Sequence, residues 1–129
     1  MANVLHGHSI LVVEDEALIV LDVTEALTDQ GAKVATATTL RQALALVEAG
    51  GITAAVLDRA LSDGDTSVLC DRLKQKAIPF IVYTGFTEVS SACSDATLVT
   101  KPATHAALVA ALQRELANRK VRDLAPTAS

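Results

Sequence analysis

Three consecutive carboxylates, Glu14, Asp15 and Glu16, directly follow the apolar run ILVV, and a fourth, Asp58, directly follows the run AAVL. Carboxylates that lie close together raise one another's pKa unless a cation lies among them. All-oxygen ligand sets suit hard divalent cations, so we expect Glu14, Asp15 and Asp58 to bind Mg²⁺. Each acid taken alone would be an ordinary loop residue or helix cap. For Glu16, which precedes a predicted helix, that is the preferred interpretation.

Two further strand ends add a hydroxyl, Thr84, and an ammonium, Lys101. Taken alone, Thr84 would bond to backbone and Lys101 would be a surface lysine. Together with the acids and a metal, they form a set that handles phosphoryl groups, in which a carboxylate is the nucleophile and the cations neutralise oxygens. Residues at four strand ends fit the same phosphoryl chemistry, so a chance arrangement is a poor explanation for them.

The elements that must position these residues alternate along the chain. Short apolar runs predict five strands, at 10–13, 34–37, 54–57, 80–83 and 98–100. Stretches of helical period predict four helices, at 17–30, 40–49, 67–76 and 105–118. Thr39 and Gln42 have the spacing of a capping box, and Thr104 is the expected cap of the last helix. The stretch 87–96 is rich in serine and small residues, so a helix there, the fourth of five, is expected to be short or mobile.

This alternation predicts the α/β class, with a doubly wound, five-stranded parallel sheet and helices on both faces. The flavodoxin-like strand order 2-1-3-4-5 is the common one at this size. Its ligand site lies between the carboxyl ends of the first and third strands, where the acids occur. We expect one domain at 9–119, an N-terminal extension at 1–8 and a flexible tail at 120–129.

Composition limits the partners. The chain has 129 residues, a net charge of −4 and no basic run, which argues against nucleic acid. It lacks a signal peptide and a membrane-length apolar segment, so we expect a cytoplasmic protein without a membrane partner. Cys70 and Cys93 lack metal-ligand spacing and are expected to be buried thiols rather than a disulfide. No phosphate-binding glycine loop is present, which argues against nucleotide binding.

The motifs VVEDE, VLD at 56–58, YTG at 83–85 and TKP at 100–102 resemble those of response-regulator receiver domains in order and approximate spacing. The resemblance covers about 9–116. It implies that Asp58 is the phosphoacceptor, Asp15 a direct Mg²⁺ ligand and Glu14 its partner, often through water. Ala60 would add a backbone carbonyl to the metal site.

The same resemblance implies that Thr84 and Lys101 hold the phosphoryl group and that the Lys101–Pro102 bond is cis. Leu98 departs from the family, which usually has Tyr or Phe there. This departure and the short spacing between Thr84 and Lys101, together with PFIVYTGF at 79–86, resemble a bacterial subgroup named for a PFxFATGY-like motif. Its members are often stand-alone receivers paired with sensor kinases of the HWE and related types.

The function implied is a signalling phosphoacceptor rather than a turnover enzyme. A sensor histidine kinase would phosphorylate Asp58, and the domain would catalyse its own phosphorylation and slow dephosphorylation. Output would come through contact with an unidentified downstream protein or by action as a phosphate sink.

Two alternatives remain. One is a Mg²⁺-dependent phosphohydrolase of the haloacid-dehalogenase type, because DGDTS at 63–67 is similar to the DxD motif of that class. However, no apolar strand precedes DGDTS. Asp58 does follow such a strand, but position 60 is Ala60 and lacks the second acid of the motif. The other is a degenerate scaffold receiver, which the intact set of acids, hydroxyl and lysine disfavours.

Overall fold

A five-stranded parallel sheet is the centre of the computed structural model, which describes residues 3–58, 60–61, 63–85, 93 and 96–124. The described residues form seven strands: β1 (Ser9–Val13), β2 (Lys33–Ala37), β3 (Ala54–Leu57), β4 (Ala60–Leu61), β5 (Gly64–Asp65), β6 (Phe80–Thr84) and β7 (Thr97–Thr100). The large sheet has the order β2-β1-β3-β6-β7, while β4 and β5 form a separate antiparallel hairpin. Without that hairpin, the order is the predicted 2-1-3-4-5, which is confirmed.

The three central strands are buried along almost their whole length, which explains their continuous apolar runs. Successive residues point to opposite faces of the sheet. In β1, Ile10 and Val12 therefore enter one apolar core, and Leu11 and Val13 enter the other. The sheet thus separates two cores, each of which needs helices to cover it.

Four helices are described: α1 (Ala17–Thr28), α2 (Leu40–Ala49), α3 (Ser67–Gln75) and α4 (His105–Leu124). Helices α1 and α4 contribute Val23, Leu27 and Leu108 to the first core, whereas α2 and α3 contribute Val47 and Leu69 to the second. The predicted coverage of both faces is therefore confirmed. Among the described residues, no helix combines the length and the apolar character that crossing a membrane requires.

Side chains cap two of these helices. Thr39 Oγ1 accepts a hydrogen bond from the Gln42 N–H at 3.1 Å, as predicted for α2. Gln42 Oε1 accepts from the Thr38 N–H at 2.9 Å, one residue earlier than a capping box requires. At α4, Thr104 Oγ1 accepts from the Ala107 N–H at 3.1 Å, which confirms the predicted cap.

Residues near both ends of the predicted domain have defined structure. Leu5, predicted within an N-terminal extension, is fully buried in the first core, and its N–H donates to the Gln30 carbonyl at 2.9 Å. The adjoining Gly31 has φ +91°, and a Cβ there would lie 2.9 Å from the Cβ of Asn3. Helix α4 continues to Leu124, so 120–124 are helical rather than the start of a tail.

Of the stretch 87–96, only Cys93 and Ala96 belong to the described residues, and the predicted short helix lies outside them. Cys93 forms a disulfide with Cys70 of α3, with the two Cα atoms 5.4 Å apart. Both residues are buried, as expected, but the prediction of two separate thiols is wrong. The reason is that a pairing between residues 23 positions apart has no local sequence pattern.

We predict that reducing this disulfide lowers the free energy of unfolding by about 3 kcal/mol, because the cross-link restricts the unfolded chain. Urea unfolding of the oxidised protein with and without reductant measures the difference. Cys93→Ser is the control, and its stability should not respond to reductant. Alkylation of both cysteines in denatured, unreduced protein would contradict the pairing.

Candidate functional site

Backbone hydrogen bonds extend the sheet ladder one residue beyond the strand ends. The Glu14 N–H donates to the last carbonyl of β2 at 3.0 Å, and the Asp58 N–H donates to the Val13 carbonyl at 2.9 Å. At the other side of the sheet, the Lys101 N–H donates to the Thr84 carbonyl at 2.9 Å. The backbone of the residues that follow β1, β3 and β7 is therefore fixed by hydrogen bonds that continue the sheet ladder.

The three acids predicted to bind a metal lie together at this edge. One carboxylate oxygen from each of Glu14, Asp15 and Asp58 lies within 4.8 Å of the others. Glu14 is buried, with 3 % of its surface exposed, Asp58 is partly buried, and Asp15 is exposed. Three oxygen ligands that are open to solvent on one side suit a hard divalent cation. The predicted convergence of β1 and β3 on one crevice is confirmed.

Lys101 supplies the positive charge of the crevice. Its Nζ lies 2.6 Å from Glu14 Oε2 and 3.6 Å from Asp58 Oδ1. At the shorter distance the contact is a charge-assisted hydrogen bond, which is stronger than a neutral one. Lys101 therefore contacts acids from two different strands.

Burial and charge act in opposite directions on this pair. Burial raises the pKa of the Glu14 carboxyl above 4.5, and the Asp58 charge adds to the rise, although the bond from Lys101 opposes it. Burial also disfavours the Lys101 ammonium, but the bond to Glu14 and the charges of Asp58 and Glu14 prevail and raise the pKa of Lys101 above 10.5. Lys101 thus limits the rise in the Glu14 pKa, and Glu14 favours the charged form of Lys101.

The remaining predicted residues lie at strand or helix ends at the same edge of the sheet. Thr84 is fully buried at the end of β6. Ala60 begins β4, two residues beyond Asp58, and the role of its carbonyl remains a prediction. Glu16 is the exposed N-cap of α1, and its side chain makes no capping hydrogen bond. Its N–H instead donates to Glu14 Oε1 at 3.2 Å, and its charge is the smallest of the influences that raise the pKa of Lys101.

Asp63 has a structural role that sequence reasoning missed. Its carboxylate accepts hydrogen bonds from the Leu40 N–H at 2.7 Å and the Arg41 N–H at 3.1 Å. It therefore caps α2 from more than 20 residues away and ties the loop after Asp58 to that helix. This acid is the first of the DGD sequence that is similar to a hydrolase motif. The turn-forming sequence SDG indicates a loop there, but no sequence signal indicates its partner.

Tyr83 makes two contacts that sequence reasoning did not identify. Its hydroxyl accepts a hydrogen bond from the Ala103 N–H at 3.0 Å, and Lys101 Nζ lies 5.7 Å from the centre of its ring. The available signal was a phenol within a strand buried on both faces, where the hydroxyl needs a partner.

Comparison with known proteins decides the family. A family model described as "Response regulator receiver domain" matches residues 10–113. The chain belongs to this receiver-domain family. No curated protein matches the receiver significantly.

Solved structures agree with this assignment. A CheY-like receiver domain protein from Methanospirillum hungatei JF-1 is 23 % identical, with a TM-score of 0.80, over 89 % of this receiver and 98 % of that chain. The solution structure of SdrG from Sphingomonas melonis Fr1 is 38 % identical, with a TM-score of 0.69, over 81 % of this receiver and 95 % of that chain. NtrX from Brucella abortus is 27 % identical, with a TM-score of 0.79, over 89 % of this receiver but 28 % of that longer chain.

Two family features named from sequence can be located in this receiver. The Lys101–Pro102 peptide bond is cis, as expected. Leu98, which stands where the family usually has an aromatic residue, pairs with Val82 in β6 and packs against the second core. It is part of the sheet packing and lies before the polar edge that carries the acids.

We predict that Lys101→Ala raises the pKa of the Glu14 carboxyl further, because burial and the Asp58 charge then act without the opposing ammonium. Carbon-detected NMR titration of the Glu14 side chain in metal-free buffer measures this shift. Lys76→Ala, which removes an ammonium near the exposed Glu48, should leave the Glu14 titration unchanged. An unchanged Glu14 pKa in Lys101→Ala would show that the ion pair is not the main opposing influence.

Proposed function

We propose that this receiver is the phosphoacceptor of a two-component system and takes a phosphoryl group from a histidine kinase onto Asp58. One observation carries the proposal: Asp58 lies with two other acids within 4.8 Å and has an ammonium 3.6 Å from its Oδ1. A phosphoryl group carries several negative oxygens, so it needs concentrated positive charge next to the nucleophile. The acids provide for a metal, and Lys101 provides a fixed cation.

The donor set fits Mg²⁺. Glu14, Asp15 and Asp58 would hold the ion with carboxylate oxygens, and Ala60 would add its carbonyl. When bound, the ion supplies positive charge that screens the acids from one another and from the phosphoryl oxygens. The exposure of Asp15 leaves the crevice open to solvent, which an ion that retains some of its water requires.

In the proposed transfer, an Asp58 carboxylate oxygen attacks the phosphorus of a phosphohistidine. The new O–P bond forms as the N–P bond breaks, and the imidazole leaves with the electron pair. Lys101 neutralises the phosphoryl oxygens as they approach, and the Thr84 hydroxyl donates a hydrogen bond to one of them. Hydrolysis of the resulting acyl phosphate returns the carboxylate, so the domain catalyses its own reset without being a turnover enzyme.

The donor proposed is a sensor histidine kinase, and the resemblance of PFIVYTGF to the PFxFATGY-like motif favours a kinase of the HWE type. The proposed action is cytoplasmic. Output would pass to an unidentified downstream protein by contact, or the receiver would act as a phosphate sink. Kinase competition experiments distinguish the two outputs, because a sink lowers the phosphorylation of a second receiver that shares the kinase.

We predict that Asp58→Asn abolishes labelling by a histidine kinase with radioactive ATP, because an amide is not a competent nucleophile here. Asp71→Asn, an exposed acid on α3, is the matched control and should label normally. The wild-type label should be released by neutral hydroxylamine, as an acyl phosphate is.

Other outcomes of that experiment support the alternatives. A label that persists in Asp58→Asn would place the chemistry on another residue. Steady turnover of p-nitrophenyl phosphate by the wild type would favour a hydrolase. Absence of labelling by every kinase and by acetyl phosphate would favour a scaffold.

We predict that Asp15→Asn weakens Mg²⁺ binding by at least about tenfold, the lower end of the cost of losing even an outer-shell partner of a metal. Glu16→Gln should change it little, because the hydrogen bond from Glu16 to the cluster comes from its N–H, which the substitution keeps. Asp15→Asn and Glu16→Gln each remove one negative charge from neighbouring positions, so the two variants are matched controls for each other. Equal losses in a Mg²⁺ titration would mean that only the local negative potential matters.

A further inference from the structure

Tyr83 connects the end of β6 to the loop that carries Lys101. It is 4 % exposed and belongs to the core beneath α1 and α4. Its hydroxyl accepts the N–H of Ala103 at 3.0 Å. Ala103 is the first residue after the Lys101–Pro102 pair, so this bond fixes the backbone just beyond the lysine.

The same side chain also contacts the lysine itself. Lys101 Nζ lies 5.7 Å from the centre of the Tyr83 ring, within the range of a cation–π interaction. The ammonium therefore has an aromatic neighbour in addition to Glu14, 2.6 Å away. A lysine side chain has four rotatable bonds, and contacts of this kind reduce the number of positions that its ammonium can occupy.

We propose that Tyr83 is a positioning residue for Lys101: through its hydroxyl and its ring it holds the ammonium where a phosphoryl group on Asp58 would meet it. The inference rests on the proposed function for its purpose, but its physical content concerns only Tyr83, Lys101 and Ala103. Core packing alone would need the ring and would not need a hydroxyl matched to a backbone N–H. The hydroxyl is therefore the atom that separates the two roles.

The test compares Tyr83→Phe with Ile81→Val. Tyr83→Phe removes the hydroxyl and keeps the ring. Ile81 is fully buried in the same strand and the same core, and its truncation weakens packing but keeps the hydroxyl that accepts the Ala103 N–H. Both changes are small losses within one core, so a purely structural role of Tyr83 predicts similar behaviour.

The first measurement is the rate of phosphorylation by acetyl phosphate at saturating Mg²⁺, which needs no kinase contact. Loss of one hydrogen bond corresponds to a rate decrease of about fivefold in Tyr83→Phe. Ile81→Val should keep the wild-type rate. Equal rates in wild type and Tyr83→Phe, or equal decreases in both variants, would overturn the proposal.

The second measurement does not depend on phosphorylation. Reductive methylation followed by peptide mass spectrometry gives the reactivity of the Lys101 amine, with Lys33 and Lys74 as internal references. Lys101 should react several-fold faster in Tyr83→Phe than in the wild type or Ile81→Val. If the wild type accepts no phosphoryl group, the proposed function fails, and this reactivity still decides whether Tyr83 positions Lys101. Unchanged Lys101 reactivity would overturn the positioning role.

Discussion

The site depends on the contacts that the Lys101 ammonium makes with Glu14 and Asp58. The ammonium lies 2.6 Å from Glu14 and 3.6 Å from Asp58, so it compensates the negative charge of both acids, and it opposes the burial that raises the pKa of the Glu14 carboxyl. Opposite unit charges at about 4 Å attract by roughly 4 kcal/mol at the effective dielectric of a near-surface site. The cost of burying the two charges offsets part of this attraction.

The strand order explains why a lysine is needed. Neighbouring strands are about 4.8 Å apart, so the edge strand β7 lies about 10 Å from β3, with β6 between them. Only a long side chain spans that distance from β7 to Asp58. Glu14 follows β1, one strand farther, and reaches the ammonium with its own long side chain. Shorter residues at either position would remove the contact between the acids and the Lys101 ammonium, even if the fold were unchanged.

The sequence was sufficient to predict where the strands end, but it was not sufficient to predict which distant segments contact each other. The apolar runs of β1 and β3 end where polar residues begin, because both faces of these strands are buried up to the edge that carries the acids. Glu14, Asp15 and Asp58 could therefore be grouped in advance. The Cys70–Cys93 disulfide and the capping of α2 by Asp63 could not, because each joins segments whose proximity only the folded chain creates.

The loop that carries Lys101 takes its geometry from β6 rather than from β7. The residues of β7 are only partly buried or exposed, whereas every residue of β6 is buried. Two successive residues of β6 hold the loop: the Thr84 carbonyl accepts the Lys101 N–H, and the Tyr83 hydroxyl accepts the Ala103 N–H. Thr84 also carries the hydroxyl proposed to contact the phosphoryl group. A displacement of the end of β6 would therefore act on the Thr84 hydroxyl directly and, through these two hydrogen bonds, on the backbone of the loop that carries Lys101.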